Sequence, residues 1–194
     1  MTVGYLGPSG SFTHNVAVKA FPEANRMPFA ISPKLSNLMK KVLWIMPLSL
    51  LKFNRGSVHE TLDYLFHQAE IEAIAEIIQP IKQQLLATTQ TKKIEKIFSH
   101  PQAIAQGKKY IKAHYPAAKI EMTASTAYAA RFIAEHPEEN FAAIAPVAAA
   151  KEYGLEIIAQ DIQEMDENYT RFWVLGHQNG RLIGQNSIKK FHWH

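Results

Sequence analysis

Residues 166–176 read DENYTRFWVLG, and the rest of the chain is interpreted outward from this stretch. Its polar first half changes after Thr170 into an aromatic and β-branched run, which predicts a buried strand. Thr170 then lies at the start of that strand, with Asn168 and Arg171 as neighbours. A hydroxyl held there by a rigid element is placed to donate a hydrogen bond to a leaving oxygen or an anion. The alternative is an ordinary turn residue that begins a core strand.

Length and composition predict a folded chain, and the absence of cysteine excludes several kinds of site. The 194 residues are 47% hydrophobic, which is enough for one domain or two small lobes with a core. Because the chain has no cysteine, a disulfide framework, thiolate metal sites and a cysteine nucleophile are excluded. The start at Met1 lacks the charged-then-apolar pattern of a secretory signal, so we expect a cytoplasmic protein.

The positive charge is concentrated in one segment. The chain carries a net charge of +4 at pH 7, but no Asp or Glu occurs between Ala24 and His59. Residues 31–55 hold five basic side chains, and without them the net charge would be −1. This local excess does not predict a nucleic-acid partner for the whole chain. The same segment contains an apolar run that is too short to span a membrane and is interrupted by Pro47, so we expect no membrane contact.

The first residues predict a strand, a glycine-rich turn and a helix. Residues 2–6 read as a strand, and residues 12–21 carry the apolar spacing of a helix. This arrangement directs free backbone N–H groups at an anion, and Ser11 and Thr13 add hydroxyl donors. An ordinary turn with Ser11 as the helix cap explains the same residues equally well. The spacing excludes a P-loop and a dinucleotide fingerprint.

Strands and helices alternate after an extended crossing. Residues 71–78 and 81–87 read as extended runs broken by a proline, which suggests passage between two lobes. The alternation that follows predicts an α/β fold with a largely parallel sheet. We expect lobe 1 at about 1–78 plus 166–176 and lobe 2 at about 81–160.

Hydroxyl side chains recur where strands give way to helices. Ser99 is placed to cap one helix, and Ser125 with Thr126 opens the next. Ligands of such sheets bind beyond the carboxyl ends of the strands, where these junctions lie. Several helix N-termini at one cleft, each with about half a positive charge, suit a polycarboxylate. Gln106 lies one helical turn beyond Gln102, so both amides are on one helix face.

Other polar residues are interpreted as solvated or structural. Gln83 and Gln84 are predicted to be solvated. His100 is a candidate acid or base, although a histidine at a helix start is more often structural. The nine histidines show no metal-ligand spacing, so we expect no metal ion and no cofactor.

Five short motifs together resemble the prephenate dehydratase family. They follow one another in the order of that family and cover about residues 1–30 and 56–176. The motifs are YLGPSGSFTH at 5–14, GSVHETLD at 56–63, SHPQ at 99–102, ASTA at 124–127 and NYTRF at 168–172. The resemblance implies a two-lobed α/β fold of the periplasmic-binding-protein type II, with mainly parallel sheets and the active site between the lobes. It also implies conversion of prephenate to phenylpyruvate, with loss of CO2 and water and without a cofactor.

The resemblance gives roles to ten residues and suggests a homodimer or a larger oligomer. Thr170 is the donor to the leaving hydroxyl, and Ser99 and Gln106 bind the substrate. The helix starts hold the carboxylates, and three neighbours of Thr170 complete the set. These remaining substrate-binding residues are Ser11, Thr13, Ser125, Thr126, Asn168, Arg171 and Phe172.

Two segments depart from the family pattern. Where the family carries Val-Pro-Ile-Glu-Asn-Ser, this chain has Ser-Leu-Leu-Lys-Phe-Asn at 49–54. We interpret Leu35 to Arg55 as a frame-shifted reading, because suitable codons read in the neighbouring frame give a family-like helix end and strand. We expect this segment to pack poorly. Residues 177–194 replace the phenylalanine-sensing ACT domain of many family members and are interpreted as an aberrant or disordered tail.

Three classes of function remain open on the sequence alone. An enzyme of phenylalanine biosynthesis is the leading hypothesis. The second is a non-catalytic carboxylate-binding lobe, or an inactive frame-shifted relic of the enzyme. A nucleic-acid binder is the third.

Overall fold

The structure is a computed structural model that describes residues 1–29, 42–47, 72–91, 93–165, 168–176 and 188–190. Within these ranges, no helix is long and apolar enough to cross a membrane. In chain order the elements are β1 (Thr2–Leu6), α1 (Phe12–Ala20), β2 (Asn25–Phe29), β3 (Leu43–Pro47), β4 (Glu72–Pro80), β5 (Gln84–Ala87), β6 (Lys96–Ser99), α2 (Pro101–Gln106), α3 (Lys108–His114), β7 (Lys119–Met122), α4 (Thr126–Ala134), β8 (Phe141–Ala145), α5 (Val147–Tyr153), β9 (Glu156–Ala159), β10 (Tyr169–Gly176) and β11 (Ile188–Lys190).

The chain divides into two compact units. The first unit comprises Met1–Gly7, Thr13–Gln79 and Tyr169–His194, and the second comprises Pro8–Phe12 and Pro80–Asn168. The crossing from the first to the second unit therefore falls at the end of β4. The expected lobes differ from these units at the turn between β1 and α1 and at Asn168, which both belong to the second unit.

The first unit is built on a six-stranded sheet in the order β11-β4-β10-β3-β1-β2. β1 is parallel to β2 and β3, whereas β10 is antiparallel to β3. The register pairs Tyr5 with Ile45, and Ile45 with Val174. Three segments that are far apart in sequence therefore meet at the centre of this sheet.

β3 corrects the expectation for the segment 35–55. Trp44 and Ile45 are fully buried in this central strand, and Met46 is nearly so. Gly4 makes room for the indole, because a Cβ on Gly4 would lie 2.4 Å from two ring carbons of Trp44. The expected poor packing is therefore wrong for Leu43–Pro47, while the rest of the segment, apart from Val42, lies outside the described residues.

The segment 177–194 is described only at β11. This strand pairs antiparallel with β4, and Lys189 is opposite Glu76 in the backbone register. These three residues therefore form an edge strand of the first unit's sheet. The other residues of the segment lie outside the described part of the chain.

The second unit has helices on both faces of a five-stranded sheet, in the order β7-β6-β8-β5-β9. β6 is parallel to β7 and β8, whereas β5 is antiparallel to β8 and β9. Leu86 and Ala143 pack with residues of α4 and α5, and their neighbours Leu85 and Ile144 pack with residues of α2 and α3. The predicted α/β fold is confirmed, and both sheets combine parallel pairs with antiparallel ones.

Candidate active site

The carboxyl ends of β6, β7 and β8 define one edge of the sheet in the second unit. β6 is parallel to both neighbours, and beyond β7 the Thr123 N–H donates to the Ser99 carbonyl at 2.8 Å. Gln84 pairs with Ala145, the last residue of β8, so the start of β5 lies at the same edge. Ligands of α/β sheets bind beyond the carboxyl ends of parallel strands. We refer to this part of the unit as the carboxyl edge.

Ser99 ends β6 and is fully buried. Its hydroxyl donates to the Ile144 carbonyl at 2.6 Å, so its single proton joins β6 to β8 and only its lone pairs remain for other partners. The next helix, α2, is capped by His100, whose Nδ1 accepts from the Gln102 N–H at 3.3 Å. The expectation that Ser99 caps this helix is therefore wrong, because its hydroxyl is bonded to the neighbouring strand.

Ser125 caps α4, as the sequence predicts. Its backbone is extended (φ −158°, ψ 158°), and its Oγ accepts from the Tyr128 N–H at 3.1 Å. The Thr123 hydroxyl donates to the Ser125 carbonyl at 3.0 Å and fixes the turn before the cap. Because the Ser125 oxygen accepts in its capping bond, its proton is left for a donor role. Thr126 follows as the first residue of the helix.

The glycine-rich turn before α1 packs against α5. Gly10 has a φ of +75°, and a Cβ there would lie 2.9 Å from Tyr153 Cε2 and 3.2 Å from Ala149 Cα. The Tyr153 hydroxyl donates to the Ser9 carbonyl at 2.7 Å. Ala149 lies in the first turn of α5, which follows β8 directly. This contact brings Ser11 to the carboxyl edge.

A network of glutamine amides lies at the same edge. The Gln83 N–H donates to Gln163 Oε1 at 2.8 Å, and Gln83 Nε2 donates to Gln106 Oε1 at 3.0 Å. Gln84 exchanges two hydrogen bonds with Asp161, each of 3.1 Å. Gln83 is 2% exposed and Gln84 is 5% exposed, so the expectation that both are solvated is wrong. They are buried because Gln83 precedes β5 and Gln84 is its first residue, and β5 has a strand on either side.

The carboxylates of Asp161 and Glu164 fix the segment 161–164 through hydrogen bonds and ion pairs. Lys82 Nζ donates to Asp161 Oδ2 at 2.5 Å, and this bond, with that from Gln84, lowers the pKa of Asp161. Glu164 Oε1 accepts from the Lys109 N–H at 3.0 Å in the first turn of α3, and Oε2 lies 3.2 Å from Lys109 Nζ. These contacts lower the pKa of Glu164. Both carboxylates are therefore ionised at neutral pH.

The residues around Thr170 belong to the first unit. Thr170 is half-buried on β10, and among the described residues none is hydrogen-bonded to its hydroxyl. Arg171 Nε donates to Glu76 Oε1 at 2.5 Å, and the Glu76 carboxylate, which is only 4% exposed, raises the pKa of Arg171. Among the described side chains, Arg171 therefore has a buried partner and the Thr170 hydroxyl has none.

The other predicted residues differ in burial. Thr13 and Phe172 are buried in the first unit. Asn168 is the last residue of the second unit, where its carbonyl accepts from the Ile81 N–H at 2.7 Å. The second unit thus contains Ser11, Ser99, Gln106, Ser125, Thr126 and Asn168, and the first contains Thr13, Thr170, Arg171 and Phe172.

A cavity of about 390 Å³ in the second unit lies away from these residues. Thr91, Lys93, His114 and Tyr115 supply its polar lining, and none of the predicted site residues contributes to it. Lys93 lies shortly before β6, at the opposite end of that strand from Ser99. In the described ranges no group of three or more His, Asp or Glu side chains is placed to hold a metal ion.

Comparison with known proteins identifies the family. The sequence model described as "Prephenate dehydratase" matches residues 3–180. The chain belongs to the prephenate dehydratase family. The prephenate dehydratase of Lactococcus lactis subsp. lactis is 42% identical over 181 residues, with 91% of this chain and 63% of that protein covered. The prephenate dehydratase of Bacillus subtilis is 36% identical over 197 residues, with 90% and 64% covered.

A solved prephenate dehydratase has the same fold. The crystal structure of the Arthrobacter aurescens protein in complex with L-Phe has a TM-score of 0.77 and 28% sequence identity, with 93% of this chain and 61% of that chain covered. The predicted α/β fold of the periplasmic-binding-protein type is therefore confirmed. The chain spans less than two thirds of the length of these prephenate dehydratases.

Some polar residues of this prephenate dehydratase family member were not predicted as partners. Glu76 and Gln83 are buried inside or beside apolar strands, where a polar side chain needs a partner. The sequence signals for these buried polar groups were an acidic residue inside the apolar run 72–78 and two glutamines directly before the apolar run 85–87. Their side-chain partners could not be inferred, because Arg171 is 95 residues from Glu76 and Gln106 is 23 residues from Gln83 in sequence.

Proposed function

We propose that this chain catalyses the prephenate dehydratase reaction, the decarboxylating dehydration of prephenate to phenylpyruvate. The observation that carries the proposal is the family match over residues 3–180, which contains all ten candidate residues. The clustering of helix starts and hydroxyl groups at the carboxyl edge supports it independently. A site for carboxylates is the chemistry that such an edge provides.

The reaction requires the protein only to bind the substrate and to donate hydrogen bonds to it. When the bond between the ring and its carboxylate breaks, CO2 leaves and the electron pair moves into the ring. The ring then expels hydroxide, which takes up one proton to become water, and the aromatic product is phenylpyruvate. A catalyst must therefore hold two carboxylates and stabilise the oxygen that leaves.

We assign the hydrogen bond to the leaving oxygen to Thr170. Its position on a rigid strand supports this role, as does the absence of a described partner for its hydroxyl. A donor fixed in place before the reaction stabilises developing negative charge without reorganisation. Its neighbours Asn168, Arg171 and Phe172 are proposed to contact the substrate, with Arg171 oriented by Glu76.

We assign the carboxylates to the helix starts. Ser125 and Thr126 open α4, and Ser11 and Thr13 flank the start of α1. Each helix is nine residues long, so its dipole favours an anion at the N-terminus by about 0.3–1 kcal/mol. The hydroxyl proton of Ser125 adds a directed donor. The lone pairs of Ser99 and the amide of Gln106 complete the proposed set.

A turnover assay tests the function. The purified chain is incubated with prephenate, and phenylpyruvate and CO2 are measured against a reaction without protein. We expect the two products in a ratio of one to one, at a rate that is proportional to protein concentration. Product formation no faster than in the protein-free reaction would reject the proposal.

A non-catalytic carboxylate-binding protein, or an inactive relic, is the second candidate. It is favoured by residues 49–54, which depart from the Glu-Asn pattern of the family and lie outside the described part of the chain. Calorimetry together with the turnover assay distinguishes the two candidates. A non-catalytic carboxylate-binding protein would release heat on binding prephenate without forming product. Sequencing the gene tests the proposed frame shift at Leu35 to Arg55 through the presence of a family-like reading in the neighbouring frame.

We further propose a cytoplasmic homodimer that binds neither nucleic acid nor a membrane. The resemblance to the family supports the dimer, and the cysteine-free sequence is compatible with the location. Sedimentation of the chain at several concentrations tests the dimer. A monomeric mass at all of them would contradict it.

A further inference from the structure

Gln83 holds Gln106 through one end of its amide, while the other end lacks a described partner. Gln83 Nε2 donates to Gln106 Oε1 at 3.0 Å, and Gln83 Oε1 is buried with no donor among the described residues. An unpaired buried acceptor lowers stability, so an apolar side chain would serve the fold at this position as well or better. A polar group kept at such a cost is typical of functional sites.

The backbone around Gln83 is fixed on both sides. The Gln83 N–H donates to Gln163 Oε1 at 2.8 Å, and the Gln83 carbonyl accepts from the Ile162 N–H at 2.9 Å. The Gln106 carbonyl is held in the same way, by the Glu164 N–H at 2.9 Å. Both residues of the pair therefore have anchored backbones, and in the bond between their amides Gln106 Oε1 faces Gln83 Nε2.

The orientation of the Gln106 amide decides what it binds. With Oε1 facing Gln83, its NH2 group is directed away from Gln83 and is available to donate to an acceptor. With the amide reversed, Oε1 would point away instead, and a carboxylate, which only accepts hydrogen bonds, would meet a lone pair. An anionic ligand thus requires the orientation found here.

We propose that Gln83 is a positioning residue that orients the Gln106 amide as a donor to a carboxylate of the substrate. The inference rests on the proposed function, since it gives Gln106 the substrate that the family implies. Gln83 does not touch the substrate and acts only through Gln106. Its removal therefore affects substrate affinity and not the leaving-group step.

Replacement by methionine tests this role, because methionine keeps the length of the side chain without its hydrogen bonds. We expect Gln83→Met to raise KM about fivefold to tenfold, the worth of one hydrogen bond, with kcat little changed. Gln106→Met should raise KM at least as much, and the double variant should be no worse than Gln106→Met alone. KM effects that multiply in the double variant would overturn the inference.

Gln84→Met is the matched control. Gln84 is an adjacent buried glutamine, but both ends of its amide are hydrogen-bonded to Asp161 and not to Gln106. We expect Gln84→Met to lower Tm and leave KM unchanged, whereas Gln83→Met should leave Tm unchanged or higher and raise KM. A Gln83→Met variant that loses stability without a change in KM would make Gln83 structural.

The side-chain amide resonances of Gln106 give a readout that is independent of activity. In the full chain labelled at glutamine, Gln83→Met should shift the Gln106 NH2 pair, and Gln84→Met should not. If the wild type forms no phenylpyruvate, the proposed function fails, and this spectrum alone then decides whether Gln83 holds Gln106. Unchanged Gln106 resonances in Gln83→Met would overturn the inference in either case.

Discussion

At the residue scale, Asp161 shows how a single side chain organises the carboxyl edge. It has a φ of +51°, in the left-handed region that few side chains adopt. Its carboxylate accepts from Lys82 and Gln84, and its N–H donates back to the Gln84 side chain. A residue with three such contacts fixes the segment that leads to Gln163 and Glu164.

Replacing Asp161 by Asn removes the charge, and Asn tolerates the same backbone conformation. The carboxylate is about 40% exposed, so we expect a loss of less than about 1 kcal/mol in the free energy of unfolding at pH 7. Because the folded pKa is lowered below 3.8, this stabilisation is present above that pH and is lost as the pH falls through the folded value. Thermal melts of both proteins between pH 7 and pH 3 measure the effect. A stability difference that grows on acidification would contradict the assignment.

Residues with local partners were predictable from sequence, and residues with distant partners were not. The Ser125 cap is bonded to Tyr128, three residues away, so spacing alone was sufficient. The Ser99 hydroxyl is bonded to Ile144, which is 45 residues away, and the sequence gives no sign of that contact. The burial of Gln83 likewise depends on the position of β5 within the sheet, which only the assembled topology determines.

At the element scale, β3 shows that a segment of unusual composition still forms a central strand. The run Leu-Trp-Ile-Met-Pro has no acid, and its basic surroundings obscured the strand in the sequence. The strand nevertheless lies between β1 and β10 in the sheet. The Trp44 ring packs over Gly4 and meets the Phe29 ring edge-on, with 4.6 Å between the ring centroids. By contrast, the alternation of strands and helices from β6 to β9 was predicted, because apolar runs bounded by turns are recognised locally.

Truncating Trp44 to Ala tests the packing of β3 directly. The indole is fully buried, so its loss leaves a cavity and should lower the free energy of unfolding by about 3–5 kcal/mol. The matched control is Val18→Ala on the exposed side of α1, which should change it by less than about 0.5 kcal/mol. Urea unfolding of the three proteins measures both values. Equal stabilities for the Trp44 variant and the wild type would mean that this strand is not part of the core.

At the scale of the whole molecule, neither unit contains the complete set of proposed residues. The second unit contains Ser11, Ser125, Thr126 and the Gln83–Gln106 pair, and the first contains Thr13, Thr170 and Arg171. The family motifs, which run from residue 5 to residue 172, contain residues of both units. The sequence did not predict that the turn containing Ser11 belongs to the second unit, since that depends on the contact of Gly10 with α5.

The central claim is that the Thr170 hydroxyl stabilises the leaving oxygen, and the rate of phenylpyruvate formation by Thr170→Val tests it most directly. Valine keeps the shape of threonine without the hydroxyl, and Thr170→Ser keeps the hydroxyl without the methyl group. We predict that Thr170→Val lowers kcat at least about a hundredfold at unchanged Tm, and that Thr170→Ser retains kcat within about tenfold of the wild type. A Thr170→Val protein that turns over prephenate at the wild-type rate would contradict it.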